Sequence, residues 1–117
     1  MKHVVIIDDH KTLGKTIELL LQIKGYVAKS FAKVKDAGDY IESSSPVDIL
    51  IVDYAMPQLN GDEFIRRVRR HLPDQCKIIM ISGDSKLVEV LDFESLGVSA
   101  FLTKPFELTD LYEVLSV

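Results

Sequence analysis

The sequence predicts an α/β fold in which helices cover both faces of a parallel sheet. Short runs rich in apolar residues recur five times, and the first and third are unbroken by polar residues, which is typical of strands buried on both faces. A segment whose apolar residues recur at helical spacing follows each run. Strand and helix therefore alternate five times, without a repeat or a linker, and this alternation favours one domain with right-handed crossovers.

The five predicted strands differ in how apolar they are and in what ends them. The first stops at Asp8 and the third at Asp53, whereas Ser82 closes the fourth and Lys104 follows the fifth. The second run is more polar than the others, which places it nearer an edge of the sheet. In chain order the predicted strands are residues 4–7, 26–31, 49–52, 78–81 and 100–103.

Turn residues bound the predicted helices. Gly25 stands where a left-handed C-cap belongs after the first helix, Gly97 ends the fourth, and Pro73 follows the third. The fourth helix is predicted as one continuous element over residues 87–96. The apolar positions that recur at helical spacing in the other four are Leu13, Ile17, Leu20 and Leu21; Val34, Ala37, Tyr40 and Ile41; Ile65, Val68 and Leu72; and Leu108, Leu111, Tyr112 and Leu115.

At this size the expected strand order is the flavodoxin-like order 2-1-3-4-5. Ligands of open α/β sheets bind at the edge formed by the carboxyl ends of the strands. Polar residues converge on that edge from four strands, namely Asp8 with Asp9, Asp53, Ser82 and Lys104. The sequence therefore predicts that the functional site lies there.

Composition excludes several classes of protein. The chain has 117 residues, of which 47% are hydrophobic, enough for the core of one domain. A net charge of −4 disfavours direct nucleic-acid binding, and no apolar stretch approaches the ~20 residues that span a bilayer. The single cysteine, Cys76, excludes an internal disulfide and fits a reducing compartment, so we expect a cytoplasmic protein.

Three carboxylates, those of Asp8, Asp9 and Asp53, are expected to meet at this edge. Like charges at one spot repel each other unless a cation compensates them. Oxygen ligands suit Mg²⁺ or Mn²⁺, and the sequence offers neither the sulfur nor the paired imidazoles that zinc favours. The alternative is that Asp8 and Asp9 cap the first helix. One acid is enough for a cap, so a second acid beside it and a third on the adjacent strand favour a metal site.

Asp53 is also a candidate nucleophile. A carboxylate that attacks phosphorus forms an aspartyl phosphate, and the transfer needs cations near the transferring oxygens. Lys104 can supply a compact point charge, and Ser82 can donate a hydroxyl hydrogen bond. Taken singly, Asp53 could merely end a strand, Lys104 could be a surface lysine and Ser82 a strand-ending serine. The combination favours phosphoryl chemistry.

The ordered set of motifs resembles the receiver domain of two-component response regulators (CheY-like). The resemblance rests on Asp8-Asp9 after the first strand, Asp53 in the segment DYAMP with Gly61 after it, Ser82-Gly83, and Lys104-Pro105-Phe106. It covers the whole chain. Each motif is modest alone, but the set in this order is specific.

The resemblance implies that Asp53 accepts a phosphoryl group from a sensor histidine kinase or a histidine phosphotransfer protein. It implies a Mg²⁺ ion, with Mn²⁺ as a substitute, held by the side chains of Asp9 and Asp53 and the Ala55 carbonyl, while Asp8 acts mostly through water. The protein would catalyse its own phosphoryl transfer and slow autodephosphorylation without being a turnover enzyme on a separate substrate.

The resemblance also implies a switch. Ser82 and Lys104 would contact the phosphoryl group, and Phe101 would rotate inward, although plain core packing also explains a phenylalanine at that position. A cis peptide bond is implied between Lys104 and Pro105. The signal would leave through the fourth helix, the fifth strand and the last helix. The apolar residues of the fourth helix spread over more than one stripe, which is explained equally by a wide core face on a short helix and by a phosphorylation-dependent homodimer through this face.

Residues 1–117 are expected to form one receiver domain. The chain stops at Val117 in an apolar stretch, as if cut before an output domain, and its start fits a natural N-terminus. A phosphatase with an aspartate nucleophile would need that nucleophile after the first strand and a cap domain. A flavin module would need a small polar phosphate loop where Asp8 and Asp9 stand. A phosphorylation-independent interaction domain would not need the full residue set.

Overall fold

The computed structural model describes residues 2–116 of the chain, so the predictions about Met1 and Val117 lie outside the described residues. Its strands are β1 (His3–Ile7), β2 (Val27–Phe31), β3 (Ile49–Asp53), β4 (Lys77–Ser82) and β5 (Val98–Thr103). Its α-helices are α1 (Lys11–Ile23), α2 (Val34–Ser43), α3 (Gly61–Val68), α4 (Leu87–Val90), α5 (Phe93–Leu96) and α6 (Leu108–Ser116), with a 3-10 turn at Arg69–His71.

The strands form one parallel sheet in the order β2-β1-β3-β4-β5, which confirms the predicted fold class and strand order. Every residue of β1 and β3 is buried. The more polar β2 lies at one edge, as predicted. The unbroken apolar runs therefore belong to the strands at the centre of the sheet.

Two hydrophobic cores explain why these runs show no polar alternation. Val5 and Ile7 belong to the core that contains Phe64 of α3, whereas Val4 and Ile6 belong to the core of α1 and α6. Side chains of a strand alternate between the faces of its sheet, so a strand covered on both faces needs apolar residues at every position. Complete burial of a valine or isoleucine side chain contributes about 1.5–3 kcal/mol to the free energy of folding.

The third helix is shorter than predicted. α3 ends at Val68, the 3-10 turn Arg69–His71 follows, and Leu72 has an extended backbone. Leu72 precedes Pro73, and a proline disfavours the helical conformation of the residue before it. Leu72 is nevertheless buried, so the predicted apolar position is right and its helical assignment is wrong.

The prediction of one continuous fourth helix is wrong. α4 and α5 each have four residues, and Leu91 between them is extended, with φ −92° and ψ 142°. The carboxylate of Asp92 accepts a hydrogen bond from the Ser95 N–H and so caps α5. No glycine or proline stands between residues 87 and 96, so an N-cap and tertiary packing, rather than a helix-breaking residue, interrupt the helix.

The helices and the single cysteine bear on two predictions from composition, that the chain does not span a membrane and that it forms no internal disulfide. Within residues 2–116, none of the helices has the length and apolar character needed to cross a membrane. Cys76 is a free, buried cysteine directly before β4. Burial above all raises the pKa of its thiol to about 11, which makes it a poor nucleophile.

Candidate functional site

Strand ends bring the predicted site residues to one edge of the sheet. Asp8 directly follows β1, Asp53 and Ser82 are the last residues of β3 and β4, and Lys104 directly follows β5. Asp8, Asp53 and Ser82 are buried, with 2%, 5% and 4% of their surface exposed. Buried polar side chains need partners, so the contacts among these residues define the site.

The three acidic side chains form one cluster. Asp8, Asp9 and Asp53 each offer a carboxylate oxygen, and these oxygens lie within 4.8 Å of one another. Asp9 is the exposed member, which leaves an open side to the cluster. A set of hard oxygen ligands with an open side fits Mg²⁺, which usually keeps several waters. The predicted grouping of the three acids is therefore found in the structure.

Lys104 connects two of the acids. Its Nζ donates a hydrogen bond to Asp8 Oδ2 at 3.1 Å and lies 3.5 Å from Asp53 Oδ1. The backbone N–H of Lys104 donates to the Ser82 carbonyl at 2.8 Å, which anchors the segment after β5 to the end of β4. The Lys104–Pro105 peptide bond is cis, as the resemblance implied.

The electrostatics of the cluster are set by burial and by repulsion between acids. Burial first, and then the charge of Asp8, raise the pKa of Asp53 to about 7, while Lys104 acts in the opposite direction. Asp9 raises this pKa further. One lysine is therefore too little positive charge for three carboxylates, and the donor set suits an additional cation.

The loop after β3 packs closely against Asp53 because residue 61 is a glycine. The Gly61 N–H donates to the Tyr54 carbonyl at 2.6 Å. A Cβ atom at position 61 would lie 2.7 Å from the Asp53 carbonyl oxygen and 3.0 Å from the Tyr54 Cα. The side chain of Asn60 also donates to the Tyr54 hydroxyl at 3.2 Å. This closed loop carries Ala55, which is exposed.

Ser82 is held by a contact that sequence reasoning missed. Its Oγ accepts a hydrogen bond from the Asp84 N–H at 3.0 Å. The Asp84 side chain accepts from the Lys86 N–H at 2.9 Å, and the Asp84 carbonyl accepts from the Leu87 N–H at 3.3 Å. Asp84 thus connects the Ser82 hydroxyl to the start of α4. Only the aspartate of this turn was visible in the sequence, because each of the three contacts involves a backbone atom.

Phe101, the predicted switch aromatic, is half-buried on β5. Its ring stacks on that of Phe93 in α5, with 5.6 Å between ring centroids and 30° between ring planes. Phe101 also packs against the core on the α3 side of the sheet. Core packing therefore explains part of its environment, and the stacking partner was not predicted.

Two other buried polar side chains lie away from the site. His3 contacts the Tyr40 hydroxyl at 2.8 Å and the Pro46 carbonyl at 3.1 Å, near the amino end of β1. Glu18 accepts a hydrogen bond from the Ser30 N–H of β2 at 2.7 Å. Their partners satisfy them locally, so neither contributes to the acidic cluster.

The sequence model of one family, described as the response regulator receiver domain, matches residues 4–116. The match covers almost the whole chain, including each residue of the acidic cluster.

Solved structures agree with this match. The chemotaxis protein CheY4 of Vibrio cholerae is 25% identical, with a TM-score of 0.87 over 99% of this chain and 97% of that chain. The response regulator TrrA of Thermotoga maritima, in complex with Mg²⁺-BeF, is also 25% identical, with a TM-score of 0.83 over 99% and 97% of the two chains. A CheY-like receiver domain from Methanospirillum hungatei shares the fold, with 23% identity and a TM-score of 0.88 over 99% and 91%.

Proposed function

The chain belongs to the response regulator receiver domain family of two-component systems, and from this membership we propose that Asp53 is the phosphoacceptor of a signalling switch. One observation carries the proposal: Asp53 is buried in a cluster of three carboxylates, and the Lys104 ammonium lies 3.5 Å from it. A carboxylate that belongs to a group of possible Mg²⁺ ligands and also lies near a lysine ammonium is suited to attack a phosphoryl group.

The proposed reaction is the transfer of a phosphoryl group from a phosphohistidine. An oxygen of the Asp53 carboxylate forms a bond to phosphorus while the phosphorus–nitrogen bond breaks. The electron pair of the broken bond goes to the ring nitrogen, which leaves as a neutral imidazole when the other ring nitrogen carries a proton. The product on this chain is an acyl phosphate, and slow attack by water would return Asp53 to its carboxylate.

Mg²⁺ is the proposed cofactor, with Mn²⁺ as a substitute. The side chains of Asp9 and Asp53 and the carbonyl of Ala55 would hold it, and Asp8 would act mostly through water. When bound, the ion supplies positive charge next to the transferring oxygens. The clustering of carboxylate oxygens within 4.8 Å supports this assignment.

The remaining site residues act on the transferred group. Lys104 would shift its ammonium from Asp8 towards a phosphoryl oxygen, which adds a charge-assisted hydrogen bond. Ser82 would donate its hydroxyl hydrogen to another phosphoryl oxygen, because a hydroxyl can donate while it still accepts from Asp84. Phe101 would respond to this movement as the switch aromatic. A phosphoryl group adds about −1.5 to −2 charge, enough to bias such an element.

We further propose the biological setting that follows from the family. The donor is a sensor histidine kinase or a histidine phosphotransfer protein, and residues 1–117 form a receiver domain attached to, or acting on, an output partner in the cytoplasm. The domain turns over no separate substrate. Exposed Val88 and Val90 on α4 support a homodimer through α4, α5, β5 and α6 after phosphorylation.

Incubation with acetyl phosphate and Mg²⁺, followed by intact mass measurement, tests the proposal. We expect the wild type to gain the mass of one phosphoryl group, and Asp53→Asn and an EDTA control to gain none. Asp74→Asn, an exposed acid in the turn before β4, is the matched variant and should be phosphorylated normally. Uptake that survives Asp53→Asn would move the phosphoacceptor elsewhere, and turnover of small phosphoesters would indicate a phosphatase instead.

A further inference from the structure

Residues 87–96 form two short helices instead of the one continuous helix that their sequence predicts. Residues 87–96 contain no helix-breaking residue, yet α4 and α5 are separate elements joined by extended Leu91 and by Asp92. Such a contradiction between local propensity and structure is expected where tertiary contacts outweigh propensity, and it often marks a functional element. Each half of the interrupted helix contacts a different residue of the proposed switch, α4 through Asp84 to Ser82 and α5 through Phe93 to Phe101.

α4 is connected to Ser82. The Ser82 Oγ accepts from the Asp84 N–H at 3.0 Å. Asp84 in turn accepts from the N–H groups of Lys86, through its side chain, and Leu87, through its carbonyl, and so holds the first turn of α4. A displacement of Ser82 towards Asp53 must therefore either break the bond to Asp84 or carry the start of α4 with it.

α5 is connected to Phe101. The ring of Phe93, the first residue of α5, stacks on the ring of Phe101 in β5. Leu96 at the other end of α5 is buried, with 5% of its surface exposed, and Gly97 ends the helix in the left-handed conformation at φ +79°. α5 is therefore anchored to β5 and the core, and a rotation of Phe101 would act on Phe93 first.

We infer that the two halves of the interrupted helix read phosphorylation separately, α4 through Asp84 and α5 through Phe93, with residues 91 and 92 as the joint between them. This inference rests on the proposed function of Asp53, because it needs a phosphoryl group to displace Ser82. It adds two positioning residues, Asp84 and Phe93, to the site.

The joint is built to allow independent movement. Leu91 has no helical backbone to transmit a shift along the helix axis, and the Asp92 carboxylate caps α5 on its own by accepting the Ser95 N–H at 3.2 Å. α5 therefore does not need α4 to satisfy that N–H group. Of the two halves, α4 carries the exposed apolar side chains Val88 and Val90, so a movement of α4 changes the surface offered to a partner.

The experiment compares amide spectra of ¹⁵N-labelled chain with and without Mg²⁺ and beryllofluoride. The amides of Val88 and Val90 report on α4, and those of Glu94 and Ser95 report on α5. In the wild type we expect both pairs to shift. Asp84→Ala removes the acceptor of the Lys86 N–H and leaves the backbone contacts of Asp84 with Ser82 and Leu87, so it should diminish the shifts of Val88 and Val90 while those of α5 persist.

Phe93→Leu should produce the opposite pattern, because it removes the stack and leaves the Asp84 contacts. Conservative variants test whether these losses reflect coupling rather than damage. Asp84→Asn keeps an acceptor for the Lys86 N–H, and Phe93→Tyr keeps the ring, so each should restore the diminished shifts. Ser85→Ala, an exposed neighbour of Asp84, is the matched control and should leave both pairs responsive.

If either variant diminishes the shifts of both α4 and α5, the two halves act as one unit and the inference is wrong. If either variant leaves the shifts of both halves unchanged, the signal reaches them by another route and the inference is also wrong. Intact mass after acetyl phosphate treatment is recorded for every variant. A wild type that gains no phosphoryl group and shows no beryllofluoride shifts overturns the proposed function. Normal phosphoryl uptake with joint loss of the two responses overturns only the separate reading by α4 and α5.

Discussion

The ammonium group of Lys104 lies 3.1 Å from Oδ2 of Asp8, closer than the 3.5 Å that separates it from Oδ1 of Asp53. The Asp8 side chain is 2% exposed and that of Lys104 27% exposed. One cation therefore partly compensates two buried acids. A buried charge left without its partner destabilises a fold by about 3–5 kcal/mol, so Lys104 has a structural role besides the catalytic one proposed for it.

Replacement of Lys104 by methionine tests this structural role. In EDTA we expect Lys104→Met to lower the free energy of unfolding by about 3 kcal/mol, because it leaves Asp8 and Asp53 uncompensated. Mg²⁺ should recover much of the loss, since a ligand that binds only the folded state stabilises it by mass action. Urea unfolding in EDTA and in Mg²⁺ measures both effects. Lys86→Met, at an exposed lysine before α4, should change neither.

Neutralisation of Asp53 should stabilise the fold, whereas loss of the Lys104 charge should destabilise it. Asp53→Asn removes one of three clustered charges, so we expect a higher melting temperature than the wild type in EDTA. The gain should shrink in Mg²⁺, because the ion compensates the same repulsion in the wild type. Thermal unfolding with and without the ion measures the difference. A lower melting temperature for Asp53→Asn in EDTA would show that the repulsion does not limit stability.

Two glycines allow a matched pair of substitutions. Gly61→Ala places a methyl group 2.7 Å from the Asp53 carbonyl oxygen, so the loop or the strand end must shift. We expect it to destabilise the fold by about 1–3 kcal/mol, as overpacking does, and to slow phosphoryl uptake. Gly38→Ala in α2 meets no atom within 4 Å and should stabilise by about 0.5–1 kcal/mol through helix propensity. Equal behaviour of the two variants would contradict the close packing at Gly61.

Topology explains why most of the site could be predicted from the sequence. Asp8, Asp53 and Lys104 each stand at the end of an apolar run, and parallel strands in the order 2-1-3-4-5 bring those ends to one edge. No contact between side chains had to be known. The edge position of β2 followed in the same way from its polar residues, because a strand covered on both faces cannot hold them.

Contacts between distant residues explain what could not be predicted. The spacing of the apolar residues over 87–96 is helical, but α4 stops at Val90, and a separate helix begins after the Asp92 cap, where Phe93 stacks on Phe101. Glu18 of α1 is another example, since it accepts a hydrogen bond from a backbone N–H group of β2. Neither the stack nor the contact to β2 leaves a signal in the local sequence, since each joins elements that are separate along the chain.

The exposed apolar side chains of α4 predict a state-dependent dimer. Val90 is 76% exposed and Val88 51%. In sedimentation equilibrium we expect the protein to be monomeric alone and to dimerise with Mg²⁺ and beryllofluoride, and Val90→Lys to weaken the dimer at least tenfold. Ile23→Lys, at a residue 80% exposed on α1, is the control and should dimerise normally. A protein that stays monomeric at high concentration with beryllofluoride would exclude this dimer.

Glu18 predicts a pH dependence of stability. Its Oε1 accepts the Ser30 N–H at 2.7 Å and its Oε2 accepts Lys15 at 3.2 Å. Burial by itself raises the pKa of Glu18, but these hydrogen bonds and the charge of Lys15 outweigh it and hold the pKa below 4.5. An acid whose pKa is lower in the folded state stabilises the fold above its unfolded-state pKa, and this contribution is lost as the pH falls through the folded-state value.

We therefore expect Glu18→Gln to lower the free energy of unfolding by about 1.5–3 kcal/mol at neutral pH, the range for hydrogen bonds to a charged group. The difference from the wild type should shrink progressively below pH 4.5, where protonation removes the same charge from the native residue. Urea unfolding across this range measures it, and Glu42→Gln, at an exposed acid of α2, should show no comparable change. A difference that stays constant with pH would mean that shape, rather than the ionised carboxylate, holds α1 against β2.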